Sequence, residues 1–182
     1  MAGEMPDLDA QPISSRRAVL ALGSNLGDRL ATLQKAVNLL ADSTTGSTGV
    51  AVSPVYETAP VGGPQQPDYL NAVLVIDTLL SPRALLRRCQ SVEDMLHRLR
   101  KERWGARTID VDIIIYSDIT SDEPSLVLPH PRAHERAFVL APWRDVEPAA
   151  TVPGHGRIAD LLEVVGSTGV RRSHDLVLRL PR

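Results

Sequence analysis

Asp110 and Asp112 stand two residues apart in Thr108-Ile109-Asp110-Val111-Asp112-Ile113-Ile114-Ile115-Tyr116. The rest of that run is mostly β-branched and apolar, which favours a buried strand. Residues two apart in a strand share a face, so both carboxylates project together. Two ionised carboxylates side by side in apolar surroundings repel one another and are costly to bury without a compensating cation or a shared proton. A hard divalent ion is the natural compensation. Magnesium takes one or two protein carboxylates and completes its shell with phosphate oxygens and water. The same spacing also fits two solvated aspartates at a strand end, paired with Arg103 and Arg107.

Positive charge converges on this strand. Arg98-Leu99-Arg100-Lys101-Glu102-Arg103 leads through Trp104, Gly105 and Ala106 to Arg107. A basic run of this kind often only solvates a helix end, but here it delivers guanidinium groups, which grip phosphates bidentately, next to a metal-type carboxylate pair. A second cluster holds His130, His134, Arg136 and Phe138 just after Leu128-Pro129-His130-Pro131. Two histidines four apart can bind zinc on a helix, but the prolines before them and the lack of a convincing third ligand favour anion contact.

The chain of 182 residues, 43% hydrophobic, is sized for one domain with one sizeable core. A formal charge of -2 argues against a surface that grips nucleic acid all over. Cys89 is the only cysteine, which excludes an intrachain disulfide and fits a small buried apolar role. No apolar run approaches the roughly 20 residues of a membrane span, and the first residues carry no signal-peptide pattern, so a cytoplasmic protein is expected. Aromatic residues make up only 3%, with Phe138 the sole phenylalanine, so their positions are informative.

Residues 1–16 read as a flexible leader, 17–170 as the domain and 171–182 as a short strand or tail. Ala18 to Leu22 is a strand, and Gly23-Ser24-Asn25-Leu26-Gly27-Asp28 after it is a strand-to-helix turn. That turn lacks the lysine of a phosphate-cradling P-loop and is expected to have a helper role at most. Leu26, Leu30, Leu33, Val37 and Leu40 then recur at helical spacing. Val50 to Thr58 reads as one strand with Pro54 marking an edge or bulge. A Pro/Gly-rich loop over Ala59 to Asp68 separates it from a strand over Tyr69 to Leu79, an antiparallel pair. Tyr69 and Asn71 share a face there. Ser81-Pro82 opens a helix that buries Leu85, Leu86, Cys89, Val92 and Leu96, with Gln90 and Glu93 near the opposite stripe. Asp118 to Ser125 reads as an acidic loop, Ala137 to Trp143 as a closing strand or turn, and Ile158 to Val165 as a last helix.

Four stretches in order resemble the 6-hydroxymethyl-7,8-dihydropterin pyrophosphokinase family of folate biosynthesis. They are Leu22-Gly23-Ser24-Asn25-Leu26-Gly27, Tyr56-Glu57-Thr58 through Pro67-Asp68-Tyr69-Leu70-Asn71-Ala72, Arg103 through Ile113, and Leu128-Pro129-His130-Pro131 through Arg136-Ala137-Phe138. The resemblance implies an α+β fold with a ferredoxin-like core, an antiparallel sheet covered by helices, in a single domain. It implies an ATP-dependent diphosphokinase that moves pyrophosphate from magnesium ATP to the hydroxymethyl group of a reduced pterin and leaves AMP.

Carried over by resemblance, Asp110 and Asp112 hold two magnesium ions, and Arg98 and Arg107 join them as the catalytic set. Thr58, Ala59, Val61, Tyr69, Asn71, Trp104 and Phe138 resemble pterin contacts, with Tyr69 and Phe138 as the aromatic sandwich. Gln90, Glu93, Arg100, Trp104, Arg107, Ile113, His130 and Arg136 resemble ATP contacts. Near the basic loop, Arg100 and Lys101 compete for one phosphate role. The implied partners are small molecules, with no nucleic acid and no membrane, acting on a monomer. The rival from another class is a non-catalytic ferredoxin-like RNA-binding module that stacks bases on aromatics. Tyr69, Phe138 and Trp104 do not form the strand-borne aromatic pair such a module needs.

Overall fold

The computed structural model describes residues 6–60, 66–96 and 108–181. In chain order the elements are β1 (Arg16–Ser24), α1 (Arg29–Leu40), β2 (Ser47–Val52), β3 (Tyr56–Thr58), β4 (Tyr69–Thr78), α2 (Pro82–Met95) and β5 (Asp110–Tyr116). They continue with β6 (Ser121–Glu123), β7 (Leu126–Leu128), α3 (Ala137–Val146), β8 (Thr151–Val152), β9 (Gly156–Arg157), α4 (Ile158–Val165) and β10 (Val170–Arg172). The main sheet follows the order β10-β3-β4-β1-β5, with β2 also on β4. Every pairing in it is antiparallel. The β1-α1-β2/β3-β4-α2-β5 order, with β1 between β4 and β5, is the ferredoxin-like arrangement expected from the sequence.

Helices cover both faces of the sheet. Period-2 alternation in β1 sends Ala18, Leu20 and Leu22 to one side, where Leu33, Val37 and Leu40 of α1 and Leu85, Cys89 and Val92 of α2 complete a core. Val19 faces the other side and meets Val139, Leu140 and Trp143 of α3 and Ile158 and Leu162 of α4. The core is thus split in two by the sheet. Both central helices start on side-chain caps. Asp28 accepts the Ala31 N–H at 3.0 Å, and Ser81 accepts the Ala84 N–H at 3.3 Å ahead of Pro82.

Several local expectations need correction. Ala137–Val146 is a helix, not a strand or turn; its unbroken apolar run is ambiguous by periodicity, and packing against α4 and β4 decides it. Pro142 lies inside it and removes the amide that would reach Phe138 C=O. The expected strand over Val50 to Thr58 is two strands, interrupted around Pro54 and both laid along β4. The first starts at Ser47, ahead of the expected Val50. The break does not leave an open edge at β3, because β10 pairs there. The acidic Asp118–Ser125 stretch contains half of a hairpin, β6 with β7. Glu93 is not on the exposed stripe of α2: it lies four residues after Cys89, on the same buried side, and is 3% exposed.

Both ends of the described chain enter the fold. Leu8, in the stretch expected to stay outside, is 2% exposed in the core, and its carbonyl accepts the Arg83 N–H at 3.1 Å. Leu178 is 6% exposed, and Leu180 approaches Gly49 so closely that a Cβ there would lie 2.7 Å from its methyl group. Only glycine fits that crossing.

Candidate active site

The two aspartates owe their position to a bulge in β5. Val19 of β1 faces Ile115 while Leu20 faces Ile113, so Ile114 is passed over in the register. Ile114 and Ile115 therefore both reach the α3 side, and ahead of the bulge Asp110 and Asp112 alternate onto that same side. The outer edge of β5 is occupied as well. Ile114 C=O accepts the His130 N–H at 2.8 Å, and the Val111 N–H donates to the Glu93 carboxylate at 2.9 Å.

A cavity of about 160 Å³ opens between this sheet face and the start of α3. Ala21 and Gly23 form its floor; Thr58, Ala59, Gln66, Tyr69 and Asn71 line one side; Asp110, Asp112, Arg136, Phe138 and Val139 line the other. Register explains the convergence. Gly23 pairs with Asn71 on β4 and with Asp110 on β5, and Ala21 pairs with Val73 and Asp112. Small residues on β1 keep the floor low between the amide and the carboxylates. The Asn71 amide N–H donates to Thr58 Oγ1 at 2.8 Å in a buried contact, which orients its carbonyl oxygen for another partner.

The glycine turn after β1 does more than link strand to helix. Ser24, fully buried, donates from its hydroxyl to Thr108 C=O at 2.6 Å. Asn25, 1% exposed, donates from its side-chain amide to Gln66 Oε1 at 3.0 Å and Pro67 C=O at 3.2 Å. Arg29 holds Asp68 C=O at 2.7 Å. Adjacent residues thus pin the segments that flank the cavity. Sequence reasoning missed Gln66, Ala21, Gly23 and Val139 as lining residues, and it undervalued Ser24 and Asn25. The available signal was two small polar residues at the end of an apolar strand, facing loops on both sides.

Electrostatics concentrate at Asp112. Arg136 Nη1 lies 3.6 Å from its Oδ2, and His130 Nε2 lies 3.8 Å from the same atom. Burial, and then the Arg136 charge, push the His130 imidazole down to about 4. At neutral pH the ring is therefore uncharged, and the His130–Asp112 approach is not an ion pair. His130 Nδ1 accepts the Arg132 N–H at 3.2 Å, so the ring proton sits on Nε2, on the Asp112 side. Arg136 also lies over the Phe138 ring, 5.7 Å from its centroid, in cation–π contact. The Cys89 thiol is pushed up to about 12 by burial and then by the Glu93 charge, which makes it an inert core residue.

The structure brings Thr58, Ala59, Tyr69, Asn71, Asp110, Asp112, Arg136 and Phe138 to one cavity. His130 borders it through Asp112, while Ile113 is 5% exposed on the opposite core side. Gln90 is exposed on α2, and Glu93 is buried behind β5. Val61, Arg98, Arg100, Lys101, Trp104 and Arg107 lie outside the described residues. The donor set suits magnesium: two carboxylates on one face with Asp112 38% exposed, and no cluster of three metal-ligating side chains among the described residues, so substrate oxygens and water would complete the shell.

Comparison with known proteins gives a consistent result. Residues 19–148 match the profile of the 7,8-dihydro-6-hydroxymethylpterin-pyrophosphokinase (HPPK) family. The 2-amino-4-hydroxy-6-hydroxymethyldihydropteridine pyrophosphokinase of Mycobacterium tuberculosis is 46% identical over 150 residues, covering 76% of this chain and 77% of that protein. The proteins of the same name from Mycobacterium leprae (45% over 183 residues; 91% of this chain, 93% of that one) and Bacillus subtilis (44% over 129; 71% and 77%) are similar. Among solved structures, the Plasmodium falciparum HPPK-DHPS triple mutant with pteroate superposes with a TM-score of 0.66 at 16% identity, over 87% of this chain. The chain spans 46% of that longer chain, so this likeness speaks for the fold. With a profile match over more than half its length and relatives above 40% identity across most of it, the chain belongs to the 7,8-dihydro-6-hydroxymethylpterin-pyrophosphokinase family.

Proposed function

We propose that the chain transfers pyrophosphate from magnesium ATP to the hydroxymethyl group of 6-hydroxymethyl-7,8-dihydropterin, giving the pterin diphosphate and AMP in folate biosynthesis. The observation that carries this reading is the cavity itself: an amide, two aromatic side chains and two metal-type carboxylates around one small space, in a chain of this family. The hydroxymethyl oxygen attacks the β-phosphorus of ATP, the bond from that phosphorus to the α,β-bridging oxygen breaks, AMP departs, and the hydroxyl proton is lost. Such a transfer needs alignment and charge neutralisation more than covalent help.

In this reading Tyr69 and Phe138 sandwich the pterin ring, and Asn71, oriented by Thr58, reads its edge with the backbone at Ala59 and Val61. Asp110 and Asp112 hold magnesium, two ions in the full complex. The ions supply neutralisation of phosphate charge and a template joining the two substrates. Arg136 and His130 border Asp112 on the nucleotide side, to which Arg100 also belongs. Gln90 lies on α2 and Ile113 turns its side chain to the opposite core, so any nucleotide contact of Ile113 would be through its backbone. Arg98 and Arg107 grip the transferring phosphates, and Trp104 closes over the site to exclude water.

The RNA-binding alternative finds no support. Tyr69 comes from β4 and Phe138 from α3, so no strand displays an aromatic pair among the described residues. No described helix is long and apolar enough to cross a membrane. We further propose a cytoplasmic monomer with small-molecule partners only, checked by sedimentation of the pure protein.

The deciding experiment is a nucleotide assay with ATP, magnesium and the pterin that separates AMP from ADP. AMP formed only in the presence of pterin supports the reading. ADP, or no turnover, overturns it.

A further inference from the structure

The edge strand that carries both aspartates is held from behind by a buried acid. Glu93 of α2 is 3% exposed, and its carboxylate accepts the Val111 N–H at 2.9 Å. Val111 is the residue between Asp110 and Asp112, and its N–H points away from β1, toward the outer edge of β5. Farther along, the same edge is held at Ile114 by the His130 N–H, so an unmet amide at Val111 would loosen the aspartate end of β5 in particular. A carboxylate acceptor makes the bond charge-assisted, and its burial excludes competing water.

We infer that Glu93 is a positioning residue: through the Val111 amide it sets the register and tilt at which Asp110 and Asp112 present their oxygens to the divalent cation. The role differs from that of a nucleotide contact, since what Glu93 stabilises is the geometry of the carboxylates whatever phosphate compound completes the metal shell. Residues behind metal ligands commonly govern affinity by this route, and their loss costs about 10–100-fold. The Cys89 thiol lies in the same layer and stays neutral, so it offers no competing cation or anion. This inference rests on the reading of Asp110 and Asp112 as metal ligands.

The test uses the full chain, manganese as the probe ion, and two phosphate compounds: ATP and inorganic tripolyphosphate, which has no ribose or base. For Glu93→Ala, manganese affinity measured by electron paramagnetic resonance should fall about tenfold or more with both compounds. Exchange of the Val111 amide should speed up by a similar factor. Glu93→Gln, which keeps an oxygen acceptor, should restore both within about threefold. A loss confined to ATP would identify a direct ribose or base contact and overturn the inference, as would a Glu93→Gln protein as impaired as Glu93→Ala. Should Glu93→Ala not fold, Glu93→Gln against Glu93→Leu at matched melting temperature gives the same decision. Wild-type protein that binds no manganese with either compound would instead overturn the metal-ligand reading, which separates the two failures.

Discussion

Asn71 and Asp110 face each other across a single residue. Both register with Gly23, one from β4 and one from β5, which places them two strand spacings apart, about 10 Å. That span sets the distance between the group proposed to read the pterin edge and the group proposed to bind the ion, and Gly23 keeps the floor between them clear. A Cβ at Gly23 would meet only ordinary contacts, 3.5 Å to Asn71 Oδ1 and 3.7 Å to Tyr69 Cδ1. Gly23→Val should therefore fold with a near-normal melting temperature yet lose pterin binding by about tenfold or more, as overpacking of a site rather than of the core. Titration calorimetry with the pterin, beside a melting curve, distinguishes the two.

The aspartates share one face and one cavity, so each should be needed. Asp110→Asn or Asp112→Asn should lower turnover by on the order of 10³-fold, the loss of several kcal/mol of charge stabilisation. Circular dichroism should remain native, since Asp112 is 38% exposed and carries no core packing. An active double variant would refute the metal assignment.

Phe138 presents its ring to the cavity with Arg136 over it, 5.7 Å from the centroid. Phe138→Ala should weaken pterin binding by roughly 1–3 kcal/mol, the usual worth of stacking on an aromatic side chain. An unchanged pterin dissociation constant would remove Phe138 from the sandwich.

Ser24 and Asn25 separate the contributions of the flanking segments. Asn25→Ala removes two hydrogen bonds to Gln66 and Pro67 and should raise the pterin KM more than the ATP KM. Ser24→Ala frees Thr108 C=O just before the aspartate strand and should act mainly on kcat. Each removes hydrogen bonds to groups that are half-buried or exposed, worth about 0.5–1.5 kcal/mol apiece, so equal effects on both constants would mean general destabilisation instead.

His130 gives the fold an acid-side weakness. Its pKa is about 4 in the folded protein, against an ordinary value near 6.5, because burial and then Arg136 oppose the charged form. A depressed folded value means the contribution is fully present above about 6.5 and is lost as pH falls from there toward 4. The melting temperature of the wild type should drop across that window by more than that of His130→Asn. Parallel curves for the two would show that His130 does not titrate with unfolding.

Local patterns in the chain determined much of the fold. The short apolar, strand-forming runs of β1 and β4, the Ser81-Pro82 start of α2 and the 3.6-residue spacing of α1 are legible because each is fixed by near neighbours along the chain. The pairing of Asp110 with Asp112 is legible for the same reason: a period of two needs no tertiary information. What the chain could not declare depends on residues far apart in sequence. Ala137–Val146 becomes a helix only because α4 and β4 offer it a surface. Glu93 reads as a polar residue until β5 arrives with an unmet amide. Leu8 and Leu178 look like members of loose ends until the core accepts them. Ser24 and Asn25 read as turn chemistry, and only the docking of distant segments makes them anchors. Periodicity encodes the direction in which a side chain points, whereas the identity of what it meets there is set by long-range closure of the chain.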